Sequence, residues 1–402
     1  MLYRLEVENF ASIRERQIID LRVGAGVDDD GGRFAPIWAG AKERAPKVVA
    51  LFGANASGKS NALKAISFVA WFVTKSFSAS RGNPMPYDRF NRHDTFKSPT
   101  RLAIHFGGTE SIECIDDPDA KQCAYFYEFV LDGENKDSVI SESLYYRPSG
   151  SARKLKLFER SRNGTVTAAR AFDLADYQPA LKKILRHDAS VVATLAQLDH
   201  PFSVALWNAA QSINTNILVE RVDNSERDVI RFYADRSDLV DALNREIERI
   251  DLGIQNFEIR FAADGPVALF HHQGLSVPMP LFYESHGTRQ FIKIFPLLWS
   301  TLQAGGIAIV DELDTAIHPL ILPEIVRWFY DPVRNPKNAQ LWMSCHNASL
   351  LSEFSKEEIL FCEKGIDGQT NMFGLRDINV HRRDNFHKKY LGGAYGAIPV
   401  IG

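Results

Sequence analysis

Apolar and polar positions alternate at the very start of the chain, over residues 2–10 and 17–21, around a turn near Ser12. That period of two predicts a β-hairpin. Residues 24–46 lose the pattern to Gly, Asp and Ala, and a surface excursion is expected there. A continuous apolar, β-branched run at 48–52 then leads toward a helix-favouring segment, 61–73. Residues 78–100 are irregular, with Pro84, Pro86 and Pro99. Alternation returns at 102–106, 124–131, 139–146 and 154–158, with turn residues at 132–135 and 148–150. These runs predict a mostly antiparallel sheet attached to the strand–helix unit at 48–73.

The period changes at about residue 171. Residues 181–198 and 202–217 have helical spacing, and 228–250 reads as one longer amphipathic helix. Sustained heptads are missing, so no long coiled-coil arm is expected. Strands resume at 257–261 and 267–270. The apolar run 305–310 ends in carboxylates, and 341–344 and 359–362 are two more such runs, as buried parallel strands require. The expected fold is α/β, divided into an N-terminal lobe (1–170), a helical insertion (171–280) and a C-terminal lobe (281–402). No internal repeat or low-complexity stretch interrupts it.

Composition changes this picture little. A net charge of −3 gives no global attraction to nucleic acid or membrane, so such binding would need a local patch. Candidate patches are Arg14/Arg16/Arg22, Arg89/Arg92, and Arg382/Arg383 with Lys388/Lys389. None has the aromatic interleaving of a single-strand site. Cys114, Cys123, Cys345 and Cys362 form no C-x-x-C pair and lack a His at zinc spacing, so reduced thiols are expected. The charged start, Arg4 and Glu6, is unlike a secretory signal, and the most apolar window, 66–73, is too short to span a bilayer. A cytoplasmic protein is expected.

The candidate chemistry begins where the 48–52 run meets Gly53-Ala54-Asn55-Ala56-Ser57-Gly58-Lys59-Ser60-Asn61. Strand, G-x-x-x-x-G-K-S and helix together make a phosphate-binding loop. Gly53 and Gly58 let the backbone curl so that its N–H groups face an anion, and the helix adds its positive end. Lys59 supplies charge to the β- and γ-phosphates, and the Ser60 hydroxyl is a hard ligand for Mg²⁺.

Asp311 and Glu312 close the 307–310 strand. Beside a phosphate loop, Asp311 would stand next to Mg²⁺ and Glu312 would polarise the attacking water. An acidic helix cap uses the same residue types. Ser285, Gly287 and Thr288 open another helical stretch, 291–302, with hydroxyl, backbone N–H and dipole aligned toward an anion. One chain needs no second phosphate site for one nucleotide, whereas a dimer does; a plain helix cap is the alternative. His346 follows the 341–344 strand, which should lie beside the Asp311 strand, and can hydrogen-bond a γ-phosphate.

Taken together, these residues resemble the ATP-binding-cassette (ABC) ATPases of the RecF/SMC branch. Residues 53–61 look like Walker A in its G-K-S-N form. Ser285, Gly287 and Thr288 match the signature motif as E-S-x-G-T, residues 310–312 look like Walker B with the catalytic Glu, 315–318 like the D-loop, and His346 like the switch histidine. The opening residues 5–10 are similar to the first strand of RecF-like proteins, which often ends in N-F. The stretches 311–319 and 390–399 look like compact stand-alone bacterial ATPases of abortive infection and anti-phage defence, similar to overcoming-lysogenisation ATPases without their Toprim domain. No Q-loop glutamine follows the Walker A helix; residues 87–95, with Asp88, Asn91 or Asp94, are the candidate equivalent.

The resemblance implies a P-loop ABC-type head with a mixed or parallel core sheet, an antiparallel β subdomain and a helical lobe. It implies ATP and Mg²⁺ as ligands and a homodimer, or a higher oligomer of such dimers, closed head-to-head around ATP. It further implies a separate toxic effector, a nuclease or other toxin, because the chain leaves no room for a Toprim domain. Two rival expectations stand beside it: a RecF-like maintenance ATPase that binds DNA when loaded, and a nucleotide-gated scaffold with negligible hydrolysis.

Overall fold

A computed structural model describes residues 1–402 except 115–116, 118, 135–137, 223–224, 251–252, 382–383 and 399–402. The expected turn residue Asn135, the basic pair Arg382/Arg383 and Pro399 lie outside the described residues. The chain opens with β1 (Leu2–Glu8), β2 (Gln17–Asp20), β3 (Phe34–Pro36), β4 (Arg44–Pro46) and β5 (Val48–Phe52), then α1 (Lys59–Lys75). Next come β6 (Thr100–Thr109), β7 (Gln122–Leu131), β8 (Val139–Arg147), β9 (Leu155–Arg160) and β10 (Val166–Ala168). Helices α2 (Gln178–Ile184), α3 (Val191–Ala196) and α4 (Pro201–Gln211) lead into the short β11 (Ile213–Thr215). After α5 (Glu226–Ala234) and α6 (Ser237–Ile250) come β12 (Ile254–Ala262), β13 (Gly265–His272) and β14 (Met279–Pro280). The chain continues through α7 (His286–Ala304), β15 (Ile307–Val310), α8 (Ile321–Tyr330), β16 (Gln340–Ser344), β17 (Ile359–Lys364), β18 (Thr370–Gly374) and α9 (Phe386–Leu391).

Every residue of β5 is buried, as a strand without a polar face must be. It sits inside a six-stranded sheet ordered β11-β15-β16-β5-β17-β18, parallel except for the β17–β18 pair. Its side chains alternate between two cores. Val49 and Leu51 pack with α1 and the antiparallel sheet, whereas Val48, Ala50 and Phe52 pack with α6, α7 and α8. The antiparallel sheet has seven strands, β10-β9-β8-β7-β6-β1-β2, and so contains both the expected N-terminal hairpin and the expected middle strands. Aromatic rings join it to α1: Phe72 stacks on Phe129 with centroids 4.2 Å apart.

Three expectations about the middle of the chain are corrected. The helical pattern over 181–198 breaks into α2 and α3, because Ser190 turns its hydroxyl back to cap Ala193 N at 2.8 Å. The pattern over 202–217 ends at Gln211, and Ile213–Thr215 instead pairs in parallel with β15. The open edge of a buried sheet outbids helical spacing there. The single helix expected over 228–250 is broken at Asp235 and Arg236, which lets Tyr233 and Leu239 reach the same core. Residues 24–46 are also more than an excursion: β3 pairs with β4, and Phe34, Ala35 and Ile37 are buried.

The helices of residues 171–280 divide between the two cores. Leu181, Val191, Leu195 and Phe202 join the first, and Val229, Leu243 and Ile247 the second. Within the second, α7 carries Pro296, which has no N–H for the carbonyl of Ile292; the buried Tyr233 hydroxyl donates to that oxygen at 3.0 Å.

A buried ionic node fastens the antiparallel sheet to α3. Tyr127 donates to Glu142 Oε1 and Val191 N to Glu142 Oε2, both at 2.8 Å, while Arg160 stands 3.9 Å away. Burial pushes the Glu142 carboxyl up from its ordinary value and the Arg160 guanidinium down. Arg160 also donates to the Arg186 carbonyl at 2.8 Å. Removing the carboxylate strands a buried cation, so Glu142→Ala should cost about 3–5 kcal/mol of stability in a denaturant titration. Tyr127→Phe, which leaves the ions paired, should cost about 1 kcal/mol.

Candidate functional site

The loop after β5 owes its shape to two close approaches. Gly53 has φ 149°, and a Cβ there would lie 2.2 Å from the Cys362 carbonyl oxygen. Gly58 has φ 103°, and a Cβ there would lie 2.1 Å from Thr370 Oγ1. No other residue fits either position without displacing backbone or strand. Ala56 is left-handed as well, at φ 60°, and with Asn55 forms the exposed tip. Both distant ends of the chain clasp this loop. Ser12 and Thr370 hydroxyls meet at 2.6 Å, Thr370 Oγ1 donates to the Ser57 carbonyl at 2.8 Å, and Asn61 Nδ2 donates to Ser12 Oγ at 2.6 Å.

Lys59 lies inside the loop, only 5% exposed, and its ammonium donates to the carbonyls of Gly53 (2.8 Å) and Ala54 (2.9 Å). Burial holds its pKa below the ordinary lysine value. Ser60, at the start of α1, donates to both Asp311 oxygens, at 3.0 and 2.9 Å. Asp311 directly follows β15 and is 5% exposed. The strand between β15 and β5 contributes Ser344, whose hydroxyl donates to Asp311 Oδ1 at 2.6 Å and accepts from Glu312 N at 2.8 Å.

Glu312 occupies a left-handed backbone position, φ 52°, with its side chain 41% exposed. Its Oε2 accepts from Arg221 Nη1 at 2.9 Å and from Thr315 Oγ1 at 3.2 Å. His346 Nε2 stands 3.7 Å from its Oε1. Asp314 holds the histidine loop by accepting from the N–H groups of His346 (2.9 Å) and Asn347 (2.8 Å). Asn216 brackets the Asp311 peptide, accepting from Asp311 N at 2.8 Å and donating to Asp311 O at 3.1 Å.

The structure therefore gathers Lys59, Ser60, Asp311, Glu312 and His346 at the carboxyl ends of adjacent strands, where open α/β sheets bind ligands. Ser285, Gly287 and Thr288 stand at the start of α7. Ser285 is exposed, and its Oγ accepts from Thr288 N at 3.1 Å and bonds Thr288 Oγ1 at 2.8 Å. The preceding Glu284 is buried against His272 Nε2 at 2.7 Å. A Cβ on Gly287 would lie 2.6 Å from the Ala316 carbonyl, so this turn meets the carboxylate cluster through residues 315–316. Sequence reasoning missed Asn216, Arg221, Asp314 and Ser344 as site residues. Ser344 was readable as the last residue of its strand; Asn216 was hidden inside an expected helix.

These groups fit a magnesium nucleotide. A buried ammonium, glycine-curled amides and a helix start suit the phosphates. Ser60 Oγ and Asp311 are hard oxygens of the kind Mg²⁺ takes alongside phosphate and water. Among the described residues, no three His, Cys, Asp or Glu side chains cluster for a metal.

Elsewhere, several described members of the basic clusters have partners: Arg14 pairs with Asp94 (2.9 Å), Arg16 with Glu6, Arg22 with Asp20 (2.6 Å) and Lys389 with Asp384 (2.6 Å). Arg89 donates to the Asp132 carbonyl at 2.7 Å, and Arg92 stands 3.7 Å from Asp94. The described cysteines are unbonded. Among the described residues, no helix is long and apolar enough to cross a membrane.

Known proteins share this architecture. A crystal structure of the Smc head bound to the C-winged helix domain of ScpA matches with a TM-score of 0.50 and 12% identity, over 93% of this chain and 97% of that one. An SMC head domain from Thermotoga maritima matches at TM-score 0.42 and 15% identity, over 94% and 99%. The first likeness shows the fold, that of an Smc head. No curated protein matches the sequence. A family model described as an AAA domain, putative AbiEii toxin, type IV toxin–antitoxin system, matches residues 48–352, more than half of the chain, and the chain belongs to that family.

Proposed function

We propose that this protein is an ATPase whose two copies close head-to-head around two ATP molecules, and that the closed state controls a separate toxic effector in anti-phage defence. The observation that carries the reading is the contrast between two half-sites. The loop at 53–60 is bound to its Walker B carboxylate, while Ser285 opens α7 on an exposed surface. The description of the family, a putative toxin of a toxin–antitoxin system, supports the defence setting.

In this reading Lys59 and the loop amides hold the β- and γ-phosphates. Ser60 and Asp311 hold Mg²⁺, which when bound neutralises phosphate charge. Ser285 and Gly287 of one copy face the nucleotide held by the other, while the buried Thr288, bonded to Ser285 through its N–H and hydroxyl, fixes the serine behind them. Glu312 takes a proton from water as the water oxygen bonds to the γ-phosphorus, and ADP leaves as its bond to that phosphorus breaks. His346 hydrogen-bonds the γ-phosphate. The two copies then separate, so the useful product is a change of conformation.

Lys59→Ala should weaken ATP binding about ten- to a hundredfold in a calorimetric titration. Glu312→Gln should lower turnover at least about a hundredfold and leave an ATP-loaded dimer visible by light scattering. Ser285→Arg should abolish that dimer while each copy still binds ATP; a dimer that survives this change refutes the head-to-head arrangement.

A further inference from the structure

The segment that follows β11 touches both acidic residues of the site, Asp311 through its peptide and Glu312 through its carboxylate, although it comes from the helical part of the chain. Asn216 brackets the Asp311 peptide from both sides. Five residues later, Arg221 reaches the next side chain, its Nη1 2.9 Å from Glu312 Oε2 and 3.5 Å from Thr315 Oγ1. The bridge between Ile217 and Arg221 and the bond from Val222 N to the Asn216 carbonyl, 2.7 Å, close this segment into a compact turn.

Glu312 needs such help. Its backbone is left-handed and its side chain is partly in solvent, so neither helix, strand nor packing dictates where the carboxylate points. A carboxylate oxygen offers about two lone-pair sites. Arg221 and Thr315 together occupy both on Oε2. The remaining oxygen, Oε1, is the one turned toward His346 at 3.7 Å.

We propose that Arg221 is a positioning residue for hydrolysis: by engaging Oε2 with Thr315, it orients Glu312 so that Oε1 is the oxygen that accepts the proton of the attacking water. This rests on Glu312 being the base. Arg221 itself touches neither water nor phosphate in this role. A base aimed by a third group is a general device of activated-nucleophile sites. The guanidinium suits it, because its planar fork holds a carboxylate in one direction where an ammonium would not. The same turn lines an open cavity of about 380 Å³ with Lys293 and Gln290 of α7 and Asp228 and Phe232 of α5. The orienting arginine thus borders a cavity that the two helices also wall.

The test is steady-state hydrolysis of MgATP by Arg221→Ala, Arg221→Lys and Glu312→Gln, with ATP affinity measured beside it. Arg221→Ala should lower kcat about ten- to a hundredfold, the usual cost of removing a group that orients a reacting one. KM and ATP affinity should stay within about twofold, a split that general misfolding does not produce. Arg221→Lys, which keeps the charge and loses the fork, should recover part of kcat. Should the alanine variant not fold, Arg221→Gln reads the same loss. Parental kcat in the alanine or glutamine variant, or a loss of ATP binding equal to the loss of kcat, overturns the proposal while leaving Glu312 as base if Glu312→Gln is inactive. A Glu312→Gln protein that hydrolyses ATP like the parent overturns the base assignment instead, and the role of Arg221 with it.

Discussion

The hydrogen bonds between Ser60 and Asp311 are the contact on which the site depends. They join the first turn of α1 to the end of β15, across 251 residues of sequence. Neither partner reaches the other by local preference. They meet because β5, β16 and β15 run parallel in adjacent places and end at one edge of the sheet. Ser344, from the strand between, receives the Glu312 N–H and gives its own proton to Asp311, so three strand ends become one polar cluster. Hydrophobic burial on both faces of β5 holds the strands in place, and the hydroxyls convert that order into a ligand-shaped edge.

Much of this was legible in the chain. The strands at 48–52, 307–310 and 340–344 announce themselves because parallel strands have no wet face. The loop glycines announce themselves by their spacing ahead of Lys59 and Ser60, and the fold adds that Cys362 and Thr370 leave no room for a side chain there. What stayed hidden was decided by partners far away in sequence. Ile213–Thr215 carries helical spacing and becomes a strand because β15 has an open edge beside it. Asp235 and Arg236 look like one more turn of helix, yet the chain bends there so that both flanking helices reach the same core. Asn216 lies inside a stretch with helical spacing, and Arg221 belongs to no periodic pattern. Their meaning comes from standing next to Asp311 and Glu312, which only the folded sheet specifies.

The two cores also bear on how α7 is held. Its first residues carry Ser285 and Gly287, and Pro296 interrupts its hydrogen bonding midway. The Tyr233 hydroxyl repairs that interruption from α5, and Arg289 pairs with Glu226 of the same helix at 3.1 Å. The start of α7 is therefore referenced to α5 as well as to the loop at Ala316. A helix tied at several points along one neighbour moves with that neighbour as a body.

Ser12 and Thr370, which clasp the loop at Gly58, both fall outside the span 48–352 that defines the family. A stretch of polypeptide can hold the whole glycine loop and still lack the two hydroxyls that clasp it. Excised or grafted onto another scaffold, the matched middle would carry the words of the motif without its grammar. The functional unit is wider than the recognisable one, and its margins are set by the first turn and the last strand of the sheet.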